Sequence, residues 1–354
     1  MLQSLALEAV PWPGRIWHIP TAMCISFWVP QSVRAGKYAK ETMSIARKFR
    51  RFAPLKFDVA RPVVEFDLSN RVMLAPGYYP ANPSFVDTDG GRLVCIRGVN
   101  YRIGDDFRLT PTFTNGDSYH SINRFALLDR GGEVARTLPD LDATFEGVED
   151  VRLFSFDGAL WGVCCRPISG TALSCGMSLM KLDADLRGAK AIPLASPYGF
   201  SREKNWLPIV HKGQLHFVYS VEPLVVLRCE VPSGRLDFVD PRYAEYSRSS
   251  FTFLLCGSAS GITLGDRQLL ILHRRSVRLR GLRQIYVHRC ATINPSLSEV
   301  QFGRYFVIGG AEVQFVAGMS IDDDVIRLSY GRMDRSAHLA EFDRGTFVQR
   351  FVTG

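Results

Sequence analysis

Polar and charged side chains recur at the starts of short apolar runs along this chain of 354 residues. The first three clusters are Asn82, then Glu149, Asp150 and Arg152, then Glu203, Lys204 and Asn205. Amide and carboxylate groups bind hydroxyls, and cations bind phosphate oxygens. If these clusters converge, they suit a polyhydroxylated ligand that carries a phosphate.

Asp150 is the candidate for proton transfer, because glycosyl transfer needs a carboxyl group held near the reacting oxygen. Like-charge repulsion from Glu149 would raise the pKa of Asp150, whereas Arg152 would lower it. Two acids before a strand are also typical of an ordinary solvated strand end. The recurrence of such clusters at equivalent places is what favours the chemical interpretation.

The clusters open five copies of a degenerate unit, which begin at residues 82, 149, 203, 256 and 313. In each copy a short strand leads into a turn rich in Asp, Gly or Lys, and a second apolar strand follows. Such a multi-strand repeat is typical of a propeller blade, which needs neighbours to bury its faces. We therefore predict an all-β fold, a five-bladed β-propeller over residues 61–354. A β-sandwich with long loops is the alternative.

In a propeller the innermost strand of each blade lines the central channel, so the opening clusters are expected to converge at one face. The ends of the second strands are expected to add Arg97, Asn100, Tyr101, Tyr219, Glu222, His273, Arg274, Arg275, Tyr330, Arg332 and Asp334. The long first repeat predicts a loop beside the pocket around residues 107–125. The segment 61–68 is expected to close the ring as the final strand of the last blade.

The net charge is +8 and the excess comes from scattered arginines. This suits phosphate-bearing ligands or an anionic membrane surface, or serves only solubility. Without a Lys/Arg block or a recognisable motif, we expect no nucleic-acid partner. The eight cysteines show no CxxC pair and no zinc-like spacing, so we expect buried free thiols and a cytoplasmic protein with no cofactor and no metal.

Residues 1–60 are predicted to form an N-terminal extension. Its apolar segment 16–30 is too short to span a bilayer. The basic stretch 34–52 predicts an amphipathic helix. We favour a helix packed on the main domain, and the alternative is peripheral contact with the inner face of a membrane that supplies a substrate.

Several motifs are similar to segments of one enzyme family. They are "NPSF" with "LVCIRGVNY", "EDVRLF", "EKNWLPIVHKGQLHFVYS", "GITLGDRQLLILHRR" and "VQFVAGMSIDDDVIRLSYGRMD". Over about residues 80–345, the chain resembles the five-bladed propeller enzymes of glycoside hydrolase family 130, which are β-mannoside phosphorylases, and the related β-1,2-mannosyltransferases. It departs from the family's pattern at Val151, where a proline is usual, and at Leu272, where a tyrosine is usual.

The resemblance implies that Asp150 transfers the proton. It implies sugar contacts from Asn82, Arg97 and Asp334, and phosphate contacts from Arg152, Lys204, Asn205 and His273. Asn100, Glu149 and Tyr219 complete the candidate substrate-binding residues. The implied mechanism is an inverting single displacement without a metal, in which the basic cluster holds the anionic leaving group.

The favoured function is a glycosyltransferase that moves a sugar from a nucleotide-sugar or sugar-phosphate donor to a glycan or glycolipid acceptor, as in surface-polysaccharide assembly. A glycoside phosphorylase that uses inorganic phosphate is the alternative, since it needs a similar group of cations. A hydrolase does not need them. A non-catalytic propeller that binds glycans or proteins would keep Trp161, Trp206 and the tyrosines as platforms and would tolerate the loss of Asp150.

Overall fold

The computed structural model describes residues 55–104, 109–112, 119–167, 174–231, 233–278 and 283–353, and the predicted helix at 34–52 lies outside them. The described residues fall within one compact unit, 46–354. Their strands form five sheets of four or five strands and one two-stranded sheet. The prediction of an all-β, five-bladed β-propeller is confirmed.

Two short strands open the described chain, β1 (Asp58–Ala60) and β2 (Val64–Asp67). Blade 1 comprises β3 (Tyr79–Thr88), β4 (Gly91–Val99), β7 (Ser121–Leu128) and β8 (Val134–Thr137), with a hairpin of β5 (Tyr101–Ile103) and β6 (Leu109–Pro111) inserted after β4. Blade 2 comprises β9 (Glu149–Phe156), β10 (Ala159–Pro167), β11 (Cys175–Leu182) and β12 (Ala189–Leu194). Blade 3 comprises β13 (Leu207–His211), β14 (Gln214–Val221), β15 (Leu224–Glu230) and β16 (Arg235–Phe238).

Blade 4 comprises β17 (Cys256–Leu264), β18 (Arg267–Arg278), β19 (Arg283–Ile293) and β20 (Val300–Ile308). Blade 5 comprises β21 (Gln314–Ile321), β22 (Val325–Arg332) and β23 (Ser336–Asp343). The described helical segments are short: α1 (Pro139–Thr144), α2 (Arg344–Phe347), two 3₁₀ turns (Pro241–Glu245 and Arg248–Ser250) and a π turn (Val348–Val352).

The N-terminal strands join the first part of the domain to its last two blades. Strand β2 pairs antiparallel with β23, so the segment predicted to close the ring does complete blade 5. Strand β1 pairs parallel with β20 and gives blade 4 a fifth strand, which the sequence did not predict. Closure of the ring through two blades ties both ends of the described chain together.

The blades bury their apolar faces against each other, and strand β18 shows how. Leu269 and Ile271 pack in a core cluster with Val316 of blade 5. Their neighbours Leu270 and Leu272 pack in another cluster with Leu207 and Ile209 of blade 3. This two-residue alternation is that of a strand buried on both faces, and it explains the nearly continuous apolar run in this part of the sequence.

All five blades present the same ends at one face of the propeller. The first residues of the inner strands pair with the last residues of the second strands, as in Ala81 with Arg97 and Cys256 with His273. Polar residues that open each repeat therefore meet polar residues that end the second strand. We call this the site face.

Candidate active site

A cavity of about 560 Å³ opens at the centre of the site face. It is bordered mainly by polar side chains, from all five blades and from the insertion after β4: Asn82, Arg97, Tyr101, Tyr119, His120, Ser121, Glu149, Asp150, Arg202, Lys204, Asn205, His273, Tyr286 and Asp334. Eight predicted site residues are thus brought together: Asn82, Arg97, Glu149, Asp150, Lys204, Asn205, His273 and Asp334. Their individual roles remain predictions.

Four of these residues have backbones in the left-handed region. The φ angles are 42° at Asn82, 53° at Asp150, 65° at Asn205 and 46° at Asp334. Asn and Asp adopt this conformation more readily than other non-glycine residues, at some cost in strain. The ladder register shifts at Asn82 and again at Asp150, so both lie in β-bulges that aim their side chains. The repeated Asn/Asp at the start of successive units therefore has a conformational reason.

Arg97 organises the two acids. Its Nη1 lies 2.8 Å from Asp150 Oδ1, its Nη2 lies 3.3 Å from Glu149 Oε1, and its Nε donates to Ser121 Oγ at 2.9 Å. Lys204 Nζ lies 2.5 Å from Glu149 Oε2. Asn82 Nδ2 donates to Asp150 Oδ1 at 2.9 Å. Both cations are therefore paired with Glu149, and the Oδ1 of Asp150 accepts hydrogen bonds from Arg97 and Asn82.

The environment shifts the pKa values of two acids in the cavity, Asp150 and Asp334, in opposite directions. Burial acts to raise the pKa of Asp150, but Arg97, then Lys204 and Arg152, outweigh it and hold that pKa well below its ordinary value. Burial raises the pKa of Asp334, and repulsion from Asp150 adds to the rise against the pull of Arg97 and a hydrogen bond from Tyr101. Asp150 is therefore an ionised carboxylate at neutral pH.

His273 is a neutral member of the site. Burial, and then the nearby Arg152, lowers its pKa to about 4. Its ring stacks on Tyr286 at 5.5 Å and meets Phe315 edge-on at 4.9 Å. Its Nδ1 and the Oδ1 of Asn82 are buried atoms with no hydrogen-bond partner among the described residues. Buried polar atoms usually have hydrogen-bond partners, so these two are exceptions in a site whose other polar groups are largely paired.

Two glycines permit the close approach of neighbouring blades under the cavity. A Cβ on Gly331 would lie 2.5 Å from the backbone nitrogen of Asn82, and one on Gly257 would lie 2.2 Å from the carbonyl oxygen of Asn205. Neither distance is tolerable for a real Cβ, so both glycines set the positions of site residues in the adjacent blade.

Arg152 does not line the cavity, in contrast to the predicted phosphate contact. It is fully buried and crosses beneath the cavity from blade 2 to blade 4, where Nε donates to the carbonyl of Ser258. Its Nη2 donates to Asn205 Oδ1 at 3.0 Å, and its guanidinium lies over the Phe315 ring. Because the bulge at Asp150 interrupts the two-residue alternation, Arg152 turns into the interior and supports the cavity floor.

Tyr219 and Asn100 also lie away from the cavity lining. A register shift at Tyr219 turns its ring into an aromatic cluster with Tyr198, Trp206 and Phe251, where its hydroxyl donates to Glu203 at 3.4 Å. Asn100 Oδ1 instead accepts a hydrogen bond from the backbone of His120 at 2.8 Å. Asn100 thus helps to hold the described part of the predicted loop beside the cavity.

Several residues that line the cavity were not predicted from the sequence. Arg202 directly precedes the "EKNW" motif and is exposed, with no ion pair among the described residues. Tyr119 and His120 belong to the predicted loop but were not singled out. Tyr286 lies on the third strand of blade 4 and reaches the cavity because β18 and β19 extend beyond the other strands. Adjacency to "EKNW" was the available signal for Arg202, whereas Tyr286 had none.

Val151, the departure from the family's proline, lies in the core between blades 1 and 2. It is buried in a cluster with Phe145 and Leu153. The position of Asp150 is therefore set on one side by apolar packing and on the other by its contacts with Arg97 and Asn82.

In the part of the chain that the structure describes, no group of three His, Cys, Asp or Glu residues has the arrangement of a metal site. The acidic run Asp322–Asp324 lies at the turn between β21 and β22 and hydrogen-bonds its own backbone, as a hairpin turn does. Among the described helices, none has the length and apolarity to cross a membrane.

No family model and no curated protein matches this sequence. Solved structures do match its fold. The β-1,2-mannobiose phosphorylase of Listeria innocua superposes with a TM-score of 0.55 at 11% identity, covering 82% of this chain and 99% of that one. A glycosyl hydrolase from Bacteroides ovatus gives 0.51 at 12% identity, covering 83% and 95%. A mannose phosphorylase from Leishmania mexicana gives 0.50 at 12% identity, covering 90% and 96%. The chain has the five-bladed β-propeller fold of these proteins.

Proposed function

We propose that this chain is a carbohydrate-active enzyme, and specifically an inverting glycosyltransferase that uses a nucleotide-sugar or sugar-phosphate donor. The observation that carries the proposal is the ionised Asp150 at the centre of a polar cavity. Attack by an acceptor hydroxyl needs a base to remove its proton, and Asp150 is held as a carboxylate for that task. The fold likeness to sugar-processing enzymes is compatible with this chemistry.

In this mechanism the acceptor hydroxyl lies against Asp150 and attacks the anomeric carbon of the donor sugar. A bond forms between the acceptor oxygen and that carbon while the bond to the phosphate oxygen breaks on the opposite face, so the configuration inverts. The proton passes to the carboxylate of Asp150. Asn82 and Asp334 are placed to hold sugar hydroxyls, and Arg97 keeps Asp150 aimed.

The departing phosphate carries negative charge and needs cations. Arg202 has no acid partner among the described residues, and Lys204, which pairs with Glu149, and Asn205 line the cavity with it. His273 contributes as a neutral hydrogen-bonding group. We therefore assign the leaving group to the side of the cavity formed by the "REKN" segment.

The experiment is a phosphorus NMR screen of purified protein with nucleotide sugars and sugar 1-phosphates, each with and without glycan acceptors. Acceptor-dependent release of a nucleoside diphosphate from a nucleotide sugar supports a transferase, whereas release of orthophosphate from a sugar 1-phosphate supports a phosphorylase acting in the synthetic direction. Binding without turnover across the panel refutes an enzyme and supports a glycan-binding propeller.

A glycoside phosphorylase is the second candidate, and Asp334 is the observation that favours it. Phosphorolysis requires a proton donor at the departing glycosidic oxygen, and the raised pKa of Asp334 suits a donor better than Asp150 does. In the same screen, consumption of orthophosphate with a glycan and no donor would support the phosphorylase over the transferase.

A further inference from the structure

A second cavity, of about 570 Å³, opens at the interface of blades 3 and 4. Its lining combines one carboxylate, one guanidinium and three hydroxyls with an apolar floor: Glu222, Pro223, Ser250, Thr252, Leu254, Leu255, Arg274 and Tyr305. Glu222 follows the end of β14, and Arg274 follows His273 on β18. The cavity therefore lies on the site face, and we call it the outer cavity.

Strand β18 separates the outer cavity from the central one. His273 lines the central cavity and contacts Phe315 of blade 5. The next residue, Arg274, lines the outer cavity beside Glu222 of blade 3. Consecutive side chains on a strand point to opposite faces, and their Cα atoms are about 3.8 Å apart. The two cavities therefore lie on opposite faces of β18.

A narrow crevice runs between the two cavities over the edge of blade 3. It shares Lys204 and Asn205 with the central cavity and Leu255 with the outer cavity. Lys204, Asn205 and Leu255 thus connect the linings of the two cavities along the edge of blade 3.

The outer cavity has the chemistry of a site for neutral sugars. Glu222 and Arg274 can bond sugar hydroxyls, and the amphipathic ring of Tyr305 can contact a sugar's apolar side. Thr252 Oγ1 donates to Glu222 Oε2 at 3.3 Å, which fixes the carboxylate. The single positive and single negative charge of the lining cancel, so the cavity does not select an anion.

We propose that the outer cavity binds a sugar residue of the acceptor chain, beyond the residue whose hydroxyl is placed at Asp150. This inference rests on the proposed transfer reaction, and it makes the acceptor an oligosaccharide rather than a monosaccharide. Binding there would add affinity and hold the acceptor in one register as it enters the central cavity.

The test uses acceptors of increasing length with two variants that leave the central cavity intact. Ser250→Trp places a bulky side chain at an exposed position of the outer cavity, and Glu222→Gln removes its carboxylate. Ser233→Trp, at an exposed turn after β15, is the matched control. The probes are neutral oligosaccharides of two to six residues, including the β-1,2-mannooligosaccharides, with binding followed by saturation-transfer NMR and transfer by the acceptor KM.

We expect affinity to rise at least tenfold from disaccharide to hexasaccharide in the wild type and in Ser233→Trp. Both outer-cavity variants should lose that gain, with kcat on the disaccharide unchanged. Affinity that is independent of length, a gain that survives in both variants, or no binding by any probe would overturn the inference. Length-dependent binding without transfer would support sugar binding in the outer cavity and would refute the proposed transfer reaction.

Discussion

Replacement of Asp150 by asparagine separates its chemical role from its structural role. The carboxylate accepts hydrogen bonds from Arg97 at 2.8 Å and from Asn82 at 2.9 Å, both through Oδ1. An asparagine keeps an oxygen at that place and tolerates the left-handed backbone at φ 53°. It loses the charge, and with it the capacity to accept a proton from a hydroxyl.

The two effects have different magnitudes. A positioned general base contributes about 10²- to 10⁴-fold in rate, which is about 3 to 5 kcal/mol of activation free energy. Exchanging charge-assisted hydrogen bonds for weaker ones costs about 1 to 2 kcal/mol of unfolding free energy. Arg97 also retains Glu149 at 3.3 Å, so it is not left as an unpaired buried charge. We expect Asp150→Asn to lose at least about 100-fold in kcat with a modest loss of stability.

The assay is single-turnover transfer with the donor and acceptor found in the NMR screen, alongside urea unfolding. Asp150→Ala is the companion variant, since alanine removes the oxygen and fits the left-handed backbone poorly, and it should lose both activity and stability. An Asp150→Asn protein with wild-type kcat would refute the assignment of the base. An unfolded Asp150→Asn protein would show that the carboxylate is chiefly structural.

Three further predictions concern the rest of the cavity. The pKa of His273 is lowered to about 4, so its imidazole stays neutral between about pH 5.5 and pH 8. The affinity for a nucleotide-sugar donor, measured by calorimetry, should therefore stay constant over that range. A fall in affinity centred near pH 6.5 would contradict a neutral imidazole. Gly331→Ala should lower kcat about tenfold or more, because its Cβ would displace Asn82, while circular dichroism should show a folded protein. Unchanged kinetics would show that the close contact between Gly331 and Asn82 is not needed for activity. Arg202→Ala should weaken donor binding about tenfold or more with no change in the melting temperature. Lys204→Ala should weaken donor binding by a similar factor and also lower stability slightly, because its ion pair with Glu149 is lost. If both variants bind the donor as tightly as the wild type, the leaving group does not lie beside these residues.

Much of the blade architecture could be predicted from the sequence, because hairpins depend on local turn chemistry and on alternating apolar residues. The Asp157–Gly158 and Lys212–Gly213 turns connect inner and second strands as the repeats indicated. The same logic placed Asn82, Asp150 and Asn205 at equivalent positions. The pairing of β1 with β20 is a contact between the two ends of the described chain, and no local pattern encodes it.

Two predicted site residues that lie away from the cavity lining share a physical cause. Arg152 and Tyr219 both follow or occupy bulges, where the two-residue alternation that sorts side chains between channel and interior fails. The effect on Asp150 was also underestimated, because its strongest partner, Arg97, lies 53 positions away in the chain. Sequence adjacency pointed to Glu149 and Arg152, whereas the fold supplies a cation from the neighbouring blade.

The protonation state of Asp150 shows whether this carboxylate can act as the general base. The carbon-13 carboxyl resonances of a protein labelled at aspartate would be followed from about pH 8 down to pH 4, and Asp150 would be assigned by its loss in Asp150→Asn. We expect Asp150 to stay ionised over the whole range while other carboxyls begin to titrate. A midpoint above about pH 5 for Asp150 would contradict a preformed general base and would favour a proton donor in its place.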